Sequence, residues 1–327
     1  MRRVIGLVAS ALGTFLIVLA LLLRFYVAVQ VIKFPLDESN VSTLTASHVS
    51  YFSPGELLEQ TGVSMTETVT TQGDVAAGSS SQAVWNSFSY YYDNTNQQTY
   101  SYSLQRLAFD RRSAELVNCC GSNINSKKVA VSGLGYVWPF GAQQKSYEIF
   151  DSTLLRPHSI DYAGTARVEG LATYRYVENV AAAQIGTETL PGSLVGMTDQ
   201  ETVRLGEYYE GTTTDWVDPT IGDPVRVVMS RHLYLVDSSG KDVLNLLQAT
   251  FTTTAASVAA AVHTARSDEA KVSLITVVIP ATLALAGLLL LIIGIILART
   301  RAEYAYEDDD LAVTVARRSD YGRGPQA

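Results

Sequence analysis

The chain has 327 residues, of which 47% are hydrophobic and 17% charged, and its mean hydropathy is +0.12. This composition is too apolar for an ordinary soluble protein and too polar for a channel built wholly of membrane helices, and it excludes intrinsic disorder and fibrous repeats. The formal net charge is −8 and no run of Lys or Arg is longer than a pair. Nucleic acid is therefore excluded as a partner, because binding phosphates requires clustered cations.

Two apolar segments lie near the ends of the chain. Residues 4–23 and 272–298 contain no Asp, Glu, Lys or Arg, and each is long enough to cross roughly 30 Å of hydrocarbon as a helix. The first segment exceeds the apolar part of a signal peptide, and no A-x-A cleavage motif follows it. We therefore expect both segments to be retained as transmembrane helices.

Basic residues at the outer flanks of these segments predict the orientation. Arg2 and Arg3 precede the first segment, and Arg299 and Arg301 follow the second. By the positive-inside rule, both termini of this two-pass protein of the inner (plasma) membrane lie in the cytoplasm and the large middle part lies outside. The expected organisation is a cytoplasmic N-terminus and transmembrane helix in residues 1–26, an extracytoplasmic β-rich domain in 27–254, a helical stalk in 255–271, a second transmembrane helix in 272–298, and a disordered cytoplasmic tail in 299–327.

Alternating apolar and polar residues in the middle part predict β-strands. Residues 83–92 and 99–110 alternate on either side of a polar turn, and so do residues 226–236 and 242–251. Such pairs of strands around short Asp-, Asn- or Gly-containing turns predict two hairpins.

Two short helices are expected beside the strands. Residues 53–62 begin with Ser53 and Pro54, which suit the N-cap and first position of a helix, and residues 255–270 are rich in Ala. The predicted fold is thus a mostly β extracytoplasmic domain, either barrel-like or a curved sheet with short helices, between two transmembrane helices.

The sequence contains no recognisable catalytic or metal-binding motif. His48, His158, His232 and His263 are scattered along the chain, without the spacing of paired metal ligands, and neither a phosphate-binding loop nor a nucleophile elbow is present. We predict that the protein is not an enzyme and has no cofactor or bound metal.

The two cysteines are adjacent in sequence. Cys119 and Cys120 are followed by Gly121, which suits a turn. In an oxidising compartment they could form a vicinal disulfide, and the alternative is a pair of free or buried thiols.

Large aromatic residues are concentrated in the first hairpin and in the segment 136–150. On alternating strands, one set of these rings must face inward, which makes core packing the default interpretation. The alternative is an apolar site for a lipid, with tyrosine hydroxyl groups at its mouth. The candidate lipid-binding residues are Trp85, Phe88, Tyr90, Tyr136, Trp138, Phe140, Tyr147 and Phe150.

Three segments carry a resemblance to a known family. Residues 136–151 (YVWPFGAQQKSYEIFD), 164–177 (GTARVEGLATYRYV) and 215–225 (DWVDPTIGDPV), together with the two-pass plan, resemble the actinobacterial membrane family labelled porin PorA, of the mycobacterial polar growth factor type. The resemblance covers nearly the whole chain. It implies an extracytoplasmic β-rich domain that works with the inner-membrane transporter exporting trehalose mycolate glycolipids, in building the mycomembrane and in polar growth.

Two functions remain open at this stage. The domain either binds or hands on a membrane lipid or glycolipid, or it is a scaffold for the transporter or cell-wall machinery and holds no lipid. A pore is disfavoured, because a membrane barrel requires lipid-facing strands, whereas this chain has two apolar helices and a polar, acidic middle part.

Overall fold

The computed structural model describes residues 2–299, which divide into two compact units. Residues up to Ile32 and from Ala270 form one unit, and Lys33–Glu269 form the other. Of the predicted cytoplasmic tail, residues 299–327, all but Arg299 lie outside the described residues.

The first unit is helical. Two helical segments, Arg2–Val31 and Ala255–Arg299, are long and apolar enough to cross a membrane. Each contains one π-helical turn, a wider turn that occurs mostly as a local insertion in an α-helix. The helical elements are α1 (Arg2–Leu22), a π-helical turn (Leu23–Val27), α2 (Ala28–Val31), α3 (Ala255–Ser273), a second π-helical turn (Leu274–Val278) and α4 (Ile279–Arg299). Residues 255–269 of α3 belong to the second unit.

Glycines bring α1 and α4 into close contact. Gly6 and Gly13 of α1 and Gly287 and Gly294 of α4 are buried. A Cβ atom built on Gly13 would lie 2.5 Å from the carbonyl oxygen of Gly287, and one built on Gly6 would lie 2.8 Å from that of Gly294. Because any larger side chain would push the backbones apart, these positions require glycine, as in other small-residue helix contacts.

The second unit is an antiparallel sheet that curls into a half-barrel. Val, Thr, Tyr and Phe dominate its strands, and these residues favour a pleated, half-buried surface. The strands are β1 (Ser39–Ser53), β2 (Leu58–Gly73), β3 (Gln82–Asp93), β4 (Gln98–Asp110), β5 (Leu116–Val117), β6 (Asn123–Ile124), β7 (Lys127–Lys128), β8 (Tyr147–Asp151), β9 (Arg156–Val168), β10 (Leu171–Pro191), β11 (Thr202–Val217), β12 (Pro224–Val236) and β13 (Asp242–Thr253).

The strand order places the first and last long strands side by side. Along the curled sheet the order is β7-β6-β4-β3-β2-β1-β13-β12-β11-β10-β9-β8, and β5 pairs with β4. Thr45 of β1 pairs with Thr252 of β13. The two ends of the domain, which continue into the helical segments, therefore leave the sheet on neighbouring strands.

The comparison with the sequence predictions gives one correction. The mostly β fold is confirmed, both predicted hairpins coincide with β3–β4 and β12–β13, and the Ala-rich helix lies within α3. The helix predicted at residues 53–62 is wrong, because β1 ends at Ser53, a tight turn follows with Leu57 at φ +55°, and β2 begins at Leu58. A Pro that follows Ser is compatible with a β-turn as well as with the start of a helix. Here the pairing of β1 with β2 on the two sides of the turn favours the β-turn.

Candidate functional site

The period-two alternation of β3 distributes the candidate aromatic residues over both faces of the sheet. Trp85 points to the inner face and is 4% exposed, whereas Phe88, three residues on, points to the outer face and is 41% exposed. Tyr90 follows Phe88 on the outer face and is half-buried. Two of the eight candidates therefore lie apart from the other six.

The other six candidates belong to one apolar cluster on the inner face, which we call the Trp138 cluster. Trp85, Trp138 and Phe150 are buried in it, and Tyr136, Phe140 and Tyr147 pack against it. The cluster also takes in Leu107, Phe109, Ile160, Tyr176 and Val217 from β4, β9, β10 and β11.

Rings in the Trp138 cluster contact one another closely. The ring of Trp138 stacks on that of Tyr176 at 5.5 Å between centroids, and Tyr147 meets Tyr176 edge-on at 5.8 Å. The Tyr136 hydroxyl donates a hydrogen bond to the Trp85 carbonyl oxygen at 3.1 Å. Burial raises the pKa of Tyr136 and of Tyr176 above the ordinary tyrosine value, so both hydroxyls stay protonated and can donate.

Sequence reasoning missed a second apolar cluster, which we call the Phe251 cluster. It is built from β1, β2, β3 and β13, and its buried members include Val49, Tyr51, Met65, Leu247 and Phe251. Tyr91 meets Phe251 edge-on at 5.7 Å. The inward alternation of Leu247, Ala249 and Phe251 is the signal that identifies it, because these residues share one face of β13.

A cation lies on the inner face next to these apolar residues. Arg231 of β12 pairs with Gly211 of β11 and Ala249 of β13, and its Nη1 donates a hydrogen bond to the Tyr91 hydroxyl at 3.3 Å. Although burial lowers the pKa of the Arg231 guanidinium, the neighbouring Tyr91 and Glu67 outweigh it, so the group stays charged. Sequence reasoning missed this residue because it is a single Arg within an otherwise alternating strand.

Acidic and phenolic groups face Arg231. Glu67 is 2% exposed on the inner face of β2, where it pairs with Tyr91 of β3. Burial raises the pKa of Tyr209 to about 12, although the positive charge of Arg231 opposes part of this rise. We call Glu67, Tyr91, Tyr209 and Arg231 the Arg231 group.

Glu178 extends this polar region along β10. Burial, followed by the charges of Asp151 and Asp215, raises the pKa of Glu178 to about 8, so at neutral pH most of this carboxyl group is protonated. His158 Nδ1 lies 3.4 Å from Glu178 Oε1. At neutral pH Glu178 therefore adds little negative charge to the surroundings of Arg231.

Several buried polar atoms in this region have no hydrogen-bond partner within the described part of the chain. They are Glu67 Oε2 and Arg231 Nε, together with Glu178 Oε1 and His158 Nδ1, which lie 3.4 Å from each other without hydrogen-bond geometry. An unpaired buried donor or acceptor costs roughly 1–3 kcal/mol. Because these atoms include both a donor and acceptors, hydroxyl groups, which do both, would satisfy them.

The cysteines lie in a turn after β5. The structure joins Cys119 to Cys120 by a disulfide, and the chain turns through Cys120 and Gly121 at φ +59° and +81°. Arg106 Nε donates to the Cys120 carbonyl oxygen at 3.1 Å. Whether the pair is oxidised in the native protein stays a prediction.

The histidines are dispersed through the described residues. His48 and His263 are exposed, and His232 lies on the outer face with its Nδ1 3.0 Å from Glu210 Oε1. Within residues 2–299, no group of three or more His, Cys, Asp or Glu side chains is arranged to hold a metal ion. The inner-face region described here consists of two apolar clusters and the polar Arg231 group.

Comparison with known proteins identifies the family of this chain. The sequence model of the family described as Porin PorA matches residues 5–296, most of the chain. The chain belongs to the porin PorA family. A protein named Porin PorA from Corynebacterium amycolatum is 27% identical to it over 127 residues, which cover 31% of this chain and 33% of that protein. The similarity thus spans about a third of this porin PorA relative.

Proposed function

We propose that this porin PorA family member is a membrane-anchored lipid-binding or lipid-transfer protein, whose half-barrel holds the chains and headgroup of an envelope glycolipid on its inner face. The observation that carries the proposal is the Arg231 group, a polar set with unpaired buried atoms on the same face as two apolar clusters. Fixed polar groups within an apolar surface are typical of sites for small amphipathic ligands.

The apolar clusters supply the affinity for acyl chains. Burying one methylene group is worth roughly 0.8 kcal/mol, so half of a long acyl chain packed against these rings would give substantial binding before any headgroup contact. Tyr136, Phe140 and Tyr147 are the best candidates for chain contacts, because they border the Trp138 cluster and are only partly buried.

The Arg231 group favours an uncharged headgroup rich in hydroxyl groups. A phosphate would meet the carboxylate of Glu67 beside the single guanidinium of Arg231, and like charges in a buried site repel strongly. Sugar hydroxyls can accept from Arg231 Nε and donate to Glu67 Oε2, both of which are unpaired among the described residues. This selectivity supports a glycolipid of the trehalose mycolate type over a phospholipid.

The expected setting is the plasma membrane, with both termini in the cytoplasm and the sheet outside. Arg2, Arg3 and Arg299 at the flanks of the two apolar segments support this orientation. A cysteine introduced at the exposed Ser238, in the β12–β13 turn, should therefore react with a membrane-impermeant thiol reagent added outside the inner membrane. We further propose, from the family resemblance, that the partner is the inner-membrane transporter for mycolate glycolipids and that the role is in envelope export and polar growth.

A non-enzymatic scaffold is the second candidate. Trp85, Trp138 and Phe150 are almost fully buried, and Trp138 is only 2% exposed, as expected of side chains that pack a solid core. In this alternative the protein docks onto transporter or cell-wall machinery and holds no lipid.

Lipid analysis of the purified protein distinguishes the two candidates. The full chain is extracted in a mild detergent, and native mass spectrometry records which lipids remain bound after the annular lipids are removed. Our proposal predicts one retained glycolipid per chain, and its occupancy should fall in the Arg231→Met variant but not in Arg226→Met, on the outer face of the same strand. Retention of no lipid at all would support the scaffold.

A further inference from the structure

The outer face of the half-barrel carries a grid of side chains that differs in character from the inner face. Strands β1 to β4 align in three rows, each of which crosses all four strands. Paired residues in an antiparallel sheet point to the same side. The rows, which we call the outer grid, are Val41–Thr70–Phe88–Leu104, Thr43–Thr68–Tyr90–Tyr102 and Thr45–Thr66–Tyr92–Thr99.

Exposed rings make this face unusual. Phe88 is 41% exposed and Tyr102 is 68% exposed, although large aromatic residues ordinarily lie inside or half inside a domain. The two rings lie 6.3 Å apart, and Tyr90 stacks beside Tyr92 at 6.2 Å. The face thus presents one tilted and one stacked pair of rings, with interplanar angles of 32° and 22°.

The outer grid itself carries no charged side chain. None of the twelve grid positions is Asp, Glu, Lys, Arg or His, although the chain carries a net charge of −8. The cation that flanks the first row, Arg106, is already paired, with Nη2 2.8 Å from Asp74 and Nη1 3.0 Å from Asn86 Oδ1. Six of the twelve side chains are threonines and three are tyrosines. The Tyr90 and Thr99 hydroxyls bond each other at 2.8 Å, and Thr66 Oγ1 accepts from Asn94 Nδ2 at 2.9 Å. The other six Thr and Tyr positions still offer hydroxyl groups that both donate and accept.

We infer that the outer grid binds a neutral glycan chain. The apolar faces of sugar rings pack on exposed aromatic rings, and their hydroxyls pair with Thr and Tyr hydroxyls, which matches the two kinds of group present here. A polyanion or an anionic membrane surface would require cations that the grid lacks. A protein partner fits less well: tyrosine is enriched among the residues that dominate protein interfaces, but Thr, Val and Leu are under-represented there, and these three types fill eight of the twelve positions.

This inference is independent of the proposed lipid site. It uses the opposite face of the sheet, and it gives Phe88 and Tyr90 a role in glycan binding, apart from the inner-face rings. The helices would hold the domain at the membrane, and the outer grid would hold it at a glycan. The domain would then connect the membrane with a glycan layer while its inner face carries lipid.

Binding to an array of neutral oligosaccharides tests the inference. The full chain in nanodiscs is applied to oligomers of glucose, galactose, arabinose and N-acetylglucosamine, with acidic oligosaccharides as a comparison. We expect binding to at least one neutral oligomer, unchanged between low and high salt, because no charge takes part. The Phe88→Ala and Tyr102→Ala variants should each bind roughly tenfold more weakly, the factor expected for the loss of one ring contact.

Tyr208→Ala is the matched control, since Tyr208 is also an outer-face tyrosine and stacks on Tyr234 on β12, away from the grid. It should bind glycans as the wild type does. Because Phe88 and Tyr102 are exposed, their removal should leave the fold intact, which circular dichroism checks. Binding to no neutral oligomer, equal binding by all variants, or cross-linking of a protein at position 102 without any glycan binding would each overturn the inference.

Discussion

Replacing Arg231 by Met is the sharpest test of the polar group on the inner face. Met keeps much of the side-chain volume but removes the guanidinium, so Tyr91 loses a 3.3 Å hydrogen bond and Glu67 loses its neighbouring cation. Losing a hydrogen bond and leaving a buried polar group without its partner costs about 1–3 kcal/mol. With a urea slope of about 3 kcal/mol per molar for a domain of this size, the unfolding midpoint should fall by about 0.3–1 M.

A double-mutant cycle separates this electrostatic effect from simple loss of packing. Glu67→Gln removes the charge that Arg231→Met leaves unpaired, so adding it to Arg231→Met should recover at least about 1 kcal/mol. Urea unfolding of the protein in nanodiscs, followed by tryptophan fluorescence, gives the four free energies. Arg226→Met is the control, because Arg226 lies over the Trp216 ring at 4.7 Å on the outer face, and its loss should cost under about 1 kcal/mol. Additive effects of the two inner-face changes, or equal costs for both arginines, would refute the reasoning.

Three further predictions follow from the described contacts. The pKa of Glu178 is about 8 in the folded state and about 4.3 in the unfolded state. The contribution of this carboxyl group to stability is therefore lost as the pH rises toward 8. The urea midpoint should fall between pH 5.5 and pH 8.5, and it should fall less in the Glu178→Gln variant. Gly13→Leu should separate α1 from α4 and abolish cross-linking between cysteines placed along them, whereas Leu12→Ile, at an exposed position, should not. Intact-mass analysis should find the native chain lighter than its reduced form by two hydrogen atoms, owing to the Cys119–Cys120 disulfide. Alkylation of both thiols without reduction would contradict this.

Much of the fold could be predicted because alternation records which side chains are buried. In β3 and β4 the period of two gave both strands and their shared turn. The helix at residues 53–62 failed because Ser53, Pro54 and Glu56 are equally compatible with a tight turn, and only long-range pairing of β1 with β2 decides between them.

The site was harder to predict than the fold. The alternation that identifies β3 places Trp85 and Phe88 on opposite faces of the sheet. Treating both as one aromatic site, because both are large rings, therefore combined residues from two faces. Arg231 could have been noticed as a cation between Met229 and Leu233 at an inward register, but its pairing with Tyr91 joins residues 140 positions apart. Contacts of that kind depend on the curl of the sheet, which local patterns do not encode.

Quenching of tryptophan fluorescence by a brominated chain tests the central claim most directly. The chain has three tryptophans, of which Trp85 and Trp138 lie in the inner Trp138 cluster and Trp216 lies on the outer face. A brominated-chain alkyl maltoside, with an uncharged sugar head, is added below its micelle concentration to protein in nanodiscs. The account predicts saturable quenching in the Trp216→Phe variant, in which only the inner tryptophans remain, and none in the variant that combines Trp85→Phe with Trp138→Phe. Absence of quenching in the first variant, or equal quenching in both, would contradict it.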